Sequence, residues 1–570
     1  MSANSPGDPV PNLTIGTIIE VDGTRIVAEL DSEISELTRV FGGIIYPIGQ
    51  FGSIVRIHFG RTIIYGYVSR LRMKTEYQQE RGITQDAASN ARVVEADLFG
   101  EGEWTRSGNE ESEWKLKFDR GVSTFPLPQQ RLYLTPRSEL RFVFGQGGSA
   151  GIQLGEHVGS GGTPAFADLN ELLGKHTAVL GSTGAGKSGT VAAILHSILE
   201  YSQSGEQKRW NPCIVVLDPH NEYGDAFKGH RRLSTDEGSL VLPYWLLDLQ
   251  ETIGLVIGKT EFVATSQANI VKQALLKARQ EGATTVGIDP AKITVDSPVP
   301  YKIDRFVELI EADKPPQASK QESHNSILQK IDTLLRDARL AFLMTQWDGE
   351  GDLLTDVISQ FMGAGEPLRI VDLSGVPNEV AGTASAAIAR LLFSTRVWQH
   401  DSERQRSPTL LVCEEAHRYV PNRGEAQYEA AQQAVRRLAK EGRKYGVGLM
   451  LVSQRPSEVE ATVLSQCNSW IVLRVTNDSD REHVRSVLPD SLAGLTKALS
   501  GLRRREAVFV GQATTIPSRI LVRPLTDAQL PRSQDVDFAQ GWSEDPLNDD
   551  ELKEVGSRWR EQRRPAVGDE

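Results

Sequence analysis

Eight residues, Gly181-Ser182-Thr183-Gly184-Ala185-Gly186-Lys187-Ser188, carry the strongest chemical signal in this sequence. They read G-x-x-x-x-G-K-S. An apolar run over 177–180 precedes them, and Val191, Ala192, Ile194, Leu195, Ile198 and Leu199 follow at helical spacing. A strand, a Gly-rich turn and a helix opening at the lysine form a phosphate cradle. Backbone N–H groups close around phosphate oxygens, and the helix N-terminus adds positive partial charge. Lys187 is placed for the β/γ-phosphates and Ser188 for a Mg²⁺ ion, so the expected ligand is ATP with Mg²⁺.

A second set of acids ends apolar runs. Residues 213–217 (Cys-Ile-Val-Val-Leu) lead into Asp218-Pro219-His220-Asn221-Glu222-Tyr223, and 410–413 lead into Glu414-Glu415-Ala416-His417. Buried parallel strands deliver polar groups at their carboxyl ends in this way. Glu414 is the candidate to hold Mg²⁺ through water, and Glu415 the candidate to polarise the water that attacks the γ-phosphate. A glutamate in place of the commoner aspartate lengthens the metal contact. Asp218 and Glu222 either help arrange Mg²⁺ and water or cap a helix and brace a loop. Residues 447–452 end in Ser453-Gln454, where Gln454 offers a neutral γ-phosphate sensor. Arg443 closes a basic helix. It is either an arginine finger for a neighbouring subunit's nucleotide or a cation at a helix C-terminus.

The surrounding elements define the frame. At 570 residues the chain exceeds one core, and its length suggests roughly two to four domains. Apolar content of 39% and charged content of 24% are ordinary for a globular protein. No apolar run approaches a membrane span, and the polar start at 1–12 is unlike a signal peptide. Cys213, Cys413 and Cys467 lie far apart in or near apolar runs, as core residues of a cytoplasmic protein do. A net charge of −12 argues mildly against a free-standing nucleic-acid module. It leaves room for a basic channel inside an acidic ring.

In chain order, 13–145 reads as an antiparallel β-barrel, with runs at 14–21, 24–30, 53–59, 62–68, 113–118 and 140–144 and a hairpin signal at Asp22-Gly23. Residues 145–162 read as a Gly-rich linker or mobile loop. An α/β core of RecA-like type is expected over 146–254 and again over 348–530. A helical insertion is expected over 255–347, with helices at 261–279, 305–311 and 323–347. A polar tail, 531–570, ends in a helix of mixed charge. Such a tail swaps onto a neighbour, docks a partner or stays disordered.

The ordered set of Gly181–Ser188, Asp218-Pro219-His220-x-Glu222-Tyr223, Glu414-Glu415-Ala416-His417, Glu441-Gly442-Arg443-Lys444-Tyr445-Gly446 and Ser453-Gln454-Arg455-Pro456, behind a short barrel, resembles the HerA family, in the HerA–FtsK branch of P-loop ATPases. The likeness runs over roughly 13–525. Two departures stand out. Asn221 occupies a position where the family often has glycine, and Arg503 to Arg505 fill a turn that is usually less basic. The resemblance implies a homohexameric ring with nucleotide between subunits and double-stranded DNA in the channel. It also implies a barrel face that docks a nuclease or a sirtuin-like, NAD-consuming effector, in DNA repair or antiviral defence. The function expected is an ATP-dependent DNA translocase or helicase. The alternative is a ring scaffold whose slow hydrolysis gates the effector.

Overall fold

The computed structural model describes residues 7–34, 36–50, 52–82, 90–106, 114–145, 150–158, 160, 162–201, 210–258, 265–422, 429–487, 498–531 and 538–562. The chain divides into two units. One comprises Met1–Gln203, Gln454–Ser457 and Cys467–Leu525, the other Ser204–Ser453, Glu458–Gln466 and Thr526–Glu570.

The first unit begins with β1 (Thr14–Asp22), β2 (Arg25–Leu30), β3 (Thr38–Phe41), β4 (Ile44–Pro47), β5 (Ile54–Phe59), β6 (Thr62–Met73), β7 (Arg92–Arg106), β8 (Trp114–Arg120) and β9 (Arg131–Leu134). Six of them run in the order β2-β1-β9-β5-β6-β7, and the pairing of β2 with β7 closes the sheet into a barrel. Closure leaves no exposed edge within that ring. Asp22 pairs with Arg25, so the first hairpin turns on two residues, and Gly23 takes the φ of +56° that the first turn position requires. Alternating residues such as Ile15, Ile26, Ala28, Val55, Ile57, Ile64, Val94 and Leu132 fill the interior.

Two expectations fail here. Residues 140–144 are not a strand but the end of a helix, Arg137–Phe144. Leu140, Val143 and Phe144 fall on one buried face at i, i+3 and i+4, and Pro136 stands just before the first turn. The same helix supplies buried Glu139, which takes hydrogen bonds from fully buried Arg56 and from Tyr65. Residues 145–162 are not simply a linker either, because Gly151–His157 forms a strand. Gly155 is there for close approach: a Cβ at that position would stand 2.1 Å from the carbonyl oxygen of Leu521.

The remaining strands are β10 (Gly151–His157), β11 (Pro164–Asp168), β12 (Thr177–Leu180), β13 (Cys213–Asp218), β14 (Arg231–Ser234), β15 (Leu368–Asp372), β16 (Thr409–Cys413), β17 (Val447–Ser453), β18 (Ser469–Val472), β19 (Glu506–Gly511) and β20 (Ser518–Val522). In the first unit the order is β11-β10-β20-β19-β18-β12, antiparallel except for the parallel pair β18 and β12. In the second unit β17-β16-β13-β15-β14 is parallel throughout. Every residue of β16 and β17 is buried, as strands covered on both faces must be.

Helices of the second unit include Asn378–Val397, Glu429–Glu441 and a run from Leu249–Ile257 through Thr265–Thr285, Ile303–Ala312, Glu322–Arg336 and Leu354–Met362. The helix expected over 323–347 stops at Arg336. Asp337 leaves the helical region at ψ 107° and accepts the amide of Arg339, opening a new turn. Cys413 and Cys467 are buried free thiols, and Cys213 is partly covered. Helices Phe538–Gly541 and Asp549–Glu561 bury none of their own residues. Among the described residues no helix is long and apolar enough to cross a membrane.

Candidate nucleotide site

In the first unit, buried β12 (Thr-Ala-Val-Leu) runs directly into the Gly-rich turn, and the helix Lys187–Leu199 opens at the lysine. Gly184 and Gly186 hold φ of +74° and +92°, a region that residues with a Cβ avoid. Gly181 is needed for space, since a Cβ there would stand 2.9 Å from the Cβ of Leu473. The turn is strapped from outside. The Ser182 amide donates to the Arg474 carbonyl at 2.9 Å, and the Ser182 hydroxyl accepts the Thr476 amide at 3.1 Å. Lys187 is 5% exposed at the first helical position, with Ser188 next. Thr183 Oγ1 donates to Gln454 Oε1 at 2.6 Å, so the sensor candidate after β17 is tied to the phosphate loop. The structure thus brings together Gly181 through Ser188 and Gln454. The backbone N–H groups and lysine suit a chain of phosphates.

In the second unit, β13 and β16 are neighbouring parallel strands, so their carboxyl ends lie side by side. Asp218 is buried. Its Oδ2 accepts the Tyr223 amide at 2.9 Å and its Oδ1 the His220 amide at 3.2 Å. Burial nonetheless pushes its carboxyl up to about 7. Asn221, in the same loop, takes φ +55°, which explains its standing in a glycine's place: asparagine is among the residues that tolerate this region. Tyr223, wholly buried, donates its hydroxyl to Glu414 Oε1. Burial together with that carboxylate raises the phenol well above its ordinary value, so it remains a donor. Glu415, itself buried, adopts φ +53°, a strained conformation for a side chain of its size. That turn carries the Glu415 carboxylate to within 3.3 Å of His417 Nδ1.

Arg443 is exposed on the turn Gly442–Tyr445, between the helix Glu429–Glu441 and β17. A helix-terminal cation and a residue offered to another subunit are both compatible with that position. Arg418 lies 3.4 Å from His220. Among the described residues no group of three or more His, Cys, Asp or Glu could hold a metal alone. In the first unit the Ser188 hydroxyl, next to Lys187, is a hard oxygen donor of the kind that suits Mg²⁺ beside phosphate oxygens. Sequence reasoning missed Tyr223 as the donor to Glu414, Thr183 as the partner of Gln454, and His417 beside Glu415. Only the presence of Tyr223 and His417 within the acidic motifs hinted at two of them.

Residues 152–392 match the family model described as the central domain of the helicase HerA. A probable helicase of Methanocaldococcus jannaschii is 24% identical over 428 residues, covering 75% of this chain and 77% of its own. The DNA double-strand break repair helicase HerA of Pyrococcus furiosus is 26% identical over 421 residues, covering 66% and 70%. Among solved structures, VirB4 of Thermoanaerobacter pseudethanolicus superposes with a TM-score of 0.47 at 18% identity, over 66% of this chain and 98% of its own.

Proposed function

We propose, from the premise that this chain belongs to the HerA family of P-loop ATPases, that it hydrolyses ATP to drive movement along double-stranded DNA. The observation that carries the reading is the strapped phosphate loop with buried Lys187 and a glutamine bonded to it; in the second unit, two buried acids follow β16. Lys187 draws charge from the β/γ-phosphates. Glu415, bent into place by its left-handed backbone, polarises the attacking water. As water oxygen bonds to the γ-phosphorus its proton passes to the Glu415 carboxylate, and the bond to the ADP oxygen breaks, so ADP leaves with that electron pair. Tyr223 orients Glu414, the acid that would hold Mg²⁺ through water, and a bound Mg²⁺ would neutralise charge on the phosphates. Gln454, bonded to Thr183 of the loop, senses whether the γ-phosphate is present.

Arg443 is exposed within one chain, and its assigned task is to stabilise charge on a neighbour's transferring phosphoryl. That assignment requires a ring. In this reading the ring is a homohexamer that encloses duplex DNA, and the barrel face receives a nuclease or an NAD-consuming effector in repair or antiviral defence. A pure scaffold has less support, because a ring that only assembles an effector does not need a buried acid held in strained backbone. Displacement of a third strand from linear duplex DNA tests the reading. Wild-type protein should strip it with ATP and Lys187→Ala should not. Active hydrolysis with no displacement, partner included, would contradict translocation.

A further inference from the structure

The turn Arg503-Arg504-Arg505 before β19 lies against the phosphate loop. The Arg505 amide donates to the Ala185 carbonyl at 3.2 Å. A Cβ placed on Gly186 would stand 3.4 Å from the Arg505 nitrogen and 3.6 Å from Arg504 Cγ. The turn is firmly held. Arg505 sits at φ +66°, an unfavourable conformation for a branched or long side chain, and donates Nη2 to the Val522 carbonyl at 3.1 Å. The Val522 amide returns a bond to the Arg505 carbonyl at 3.0 Å. Glu506, buried, accepts the Arg503 amide at 3.1 Å and pairs with the side chains of Arg503 and Arg519.

Two of the three arginines are therefore engaged by the turn itself. Arg504 is exposed and makes no hydrogen bond or ion pair among the described residues, yet its stem passes over Gly186. The amides of this loop serve α/β-phosphates, whereas Lys187 serves β/γ. A cation fixed by its backbone beside those amides, with no counter-ion among the described residues, meets its charge partner when nucleotide binds.

We propose that Arg504 is a second phosphate-binding cation of the nucleotide site, contacting the α/β-phosphate oxygens from within the same chain. The proposal rests on the reading of Gly181–Ser188 as that site. Because ADP and ATP share those oxygens, Arg504 should bind both nucleotides and not discriminate between them.

The test is titration of the full chain with fluorescent N-methylanthraniloyl ATP and ADP. Arg504→Ala should weaken both by on the order of tenfold, the size of one charge-assisted contact, and Arg504→Lys by less. Arg503→Gln, beside it on the same turn, should bind as wild type does. Unchanged affinity in Arg504→Ala overturns the proposal. So does a loss confined to ATP, which would put the guanidinium on the γ-phosphate, and so does an equal loss in Arg503→Gln, which would reduce the effect to general charge. Lys187→Ala separates the two levels. If it binds as wild type does, the nucleotide-site reading has failed; if it loses binding while Arg504→Ala does not, only the role of Arg504 has failed.

Discussion

Replacing Tyr223 by phenylalanine removes one hydroxyl and nothing else from a fully buried ring. That hydroxyl is a donor to Glu414, a carboxylate only 3% exposed. A hydrogen bond to a charged acceptor contributes about 1.5–3 kcal/mol. If Glu414 must hold its orientation as charge builds on the transferring phosphoryl, that loss appears in the barrier. At 1.36 kcal/mol per factor of ten it corresponds to about a 10- to 150-fold fall in kcat. ATP affinity should change little, because the phosphate-loop donors are untouched. The assay is steady-state ATP turnover with nucleotide affinity measured separately. Stacking of Tyr223 on Phe227, at 6.5 Å between centroids, is retained by phenylalanine and protects the loop's packing. A variant with wild-type kcat would refute the assignment of Glu414 as an oriented catalytic acid. A variant with unchanged kcat but weakened ATP binding would refute it equally.

Gly186→Ala forces a Cβ into φ +92° against the Arg505 nitrogen, and should cost about tenfold in ATP affinity while the melting temperature stays near wild type. Arg56→Met strands buried Glu139, whose carboxyl burial already pushes upward; barrel stability should fall by about 3–5 kcal/mol, read as faster amide exchange at Val55 and Ile57. His157, stacked 3.6 Å from Phe144, is depressed to about 3 by burial, against an ordinary 6.5. Between those values the unfolded chain holds a proton that the folded chain lacks, so this contribution is complete above pH 6.5 and lost as pH falls toward 3. His157→Phe keeps the stacking and removes the titration. Its melting-temperature advantage should therefore widen from pH 7 to pH 5, and parallel curves would contradict the cause given for the shift.

Local signals were readable and distant ones were not. The phosphate loop is legible because glycine spacing, strand and helix lie within some two dozen consecutive residues. Glu414 and Glu415 are legible because four apolar residues run straight into them. Leu140 to Phe144 mislead because a short apolar stretch satisfies strand and helix alike; Pro136 and the buried face decide the matter. Gly155 misleads in another way, since glycine marks both freedom and close backbone approach, and only the partner strand shows which. Tyr223 and Glu414 are 191 residues apart, and Thr183 and Gln454 are 271 apart. No pattern in one sequence pairs them. The same holds for Arg505 on Ala185, although the unusual basicity of that turn did stand out.

ATP turnover by the purified protein, with and without linear duplex DNA and with Lys187→Ala as the blank, tests the central claim most directly. A DNA-driven motor predicts turnover that rises severalfold with duplex and vanishes in the variant. Robust Lys187-dependent turnover that ignores duplex DNA at every concentration, with or without the partner, would contradict it.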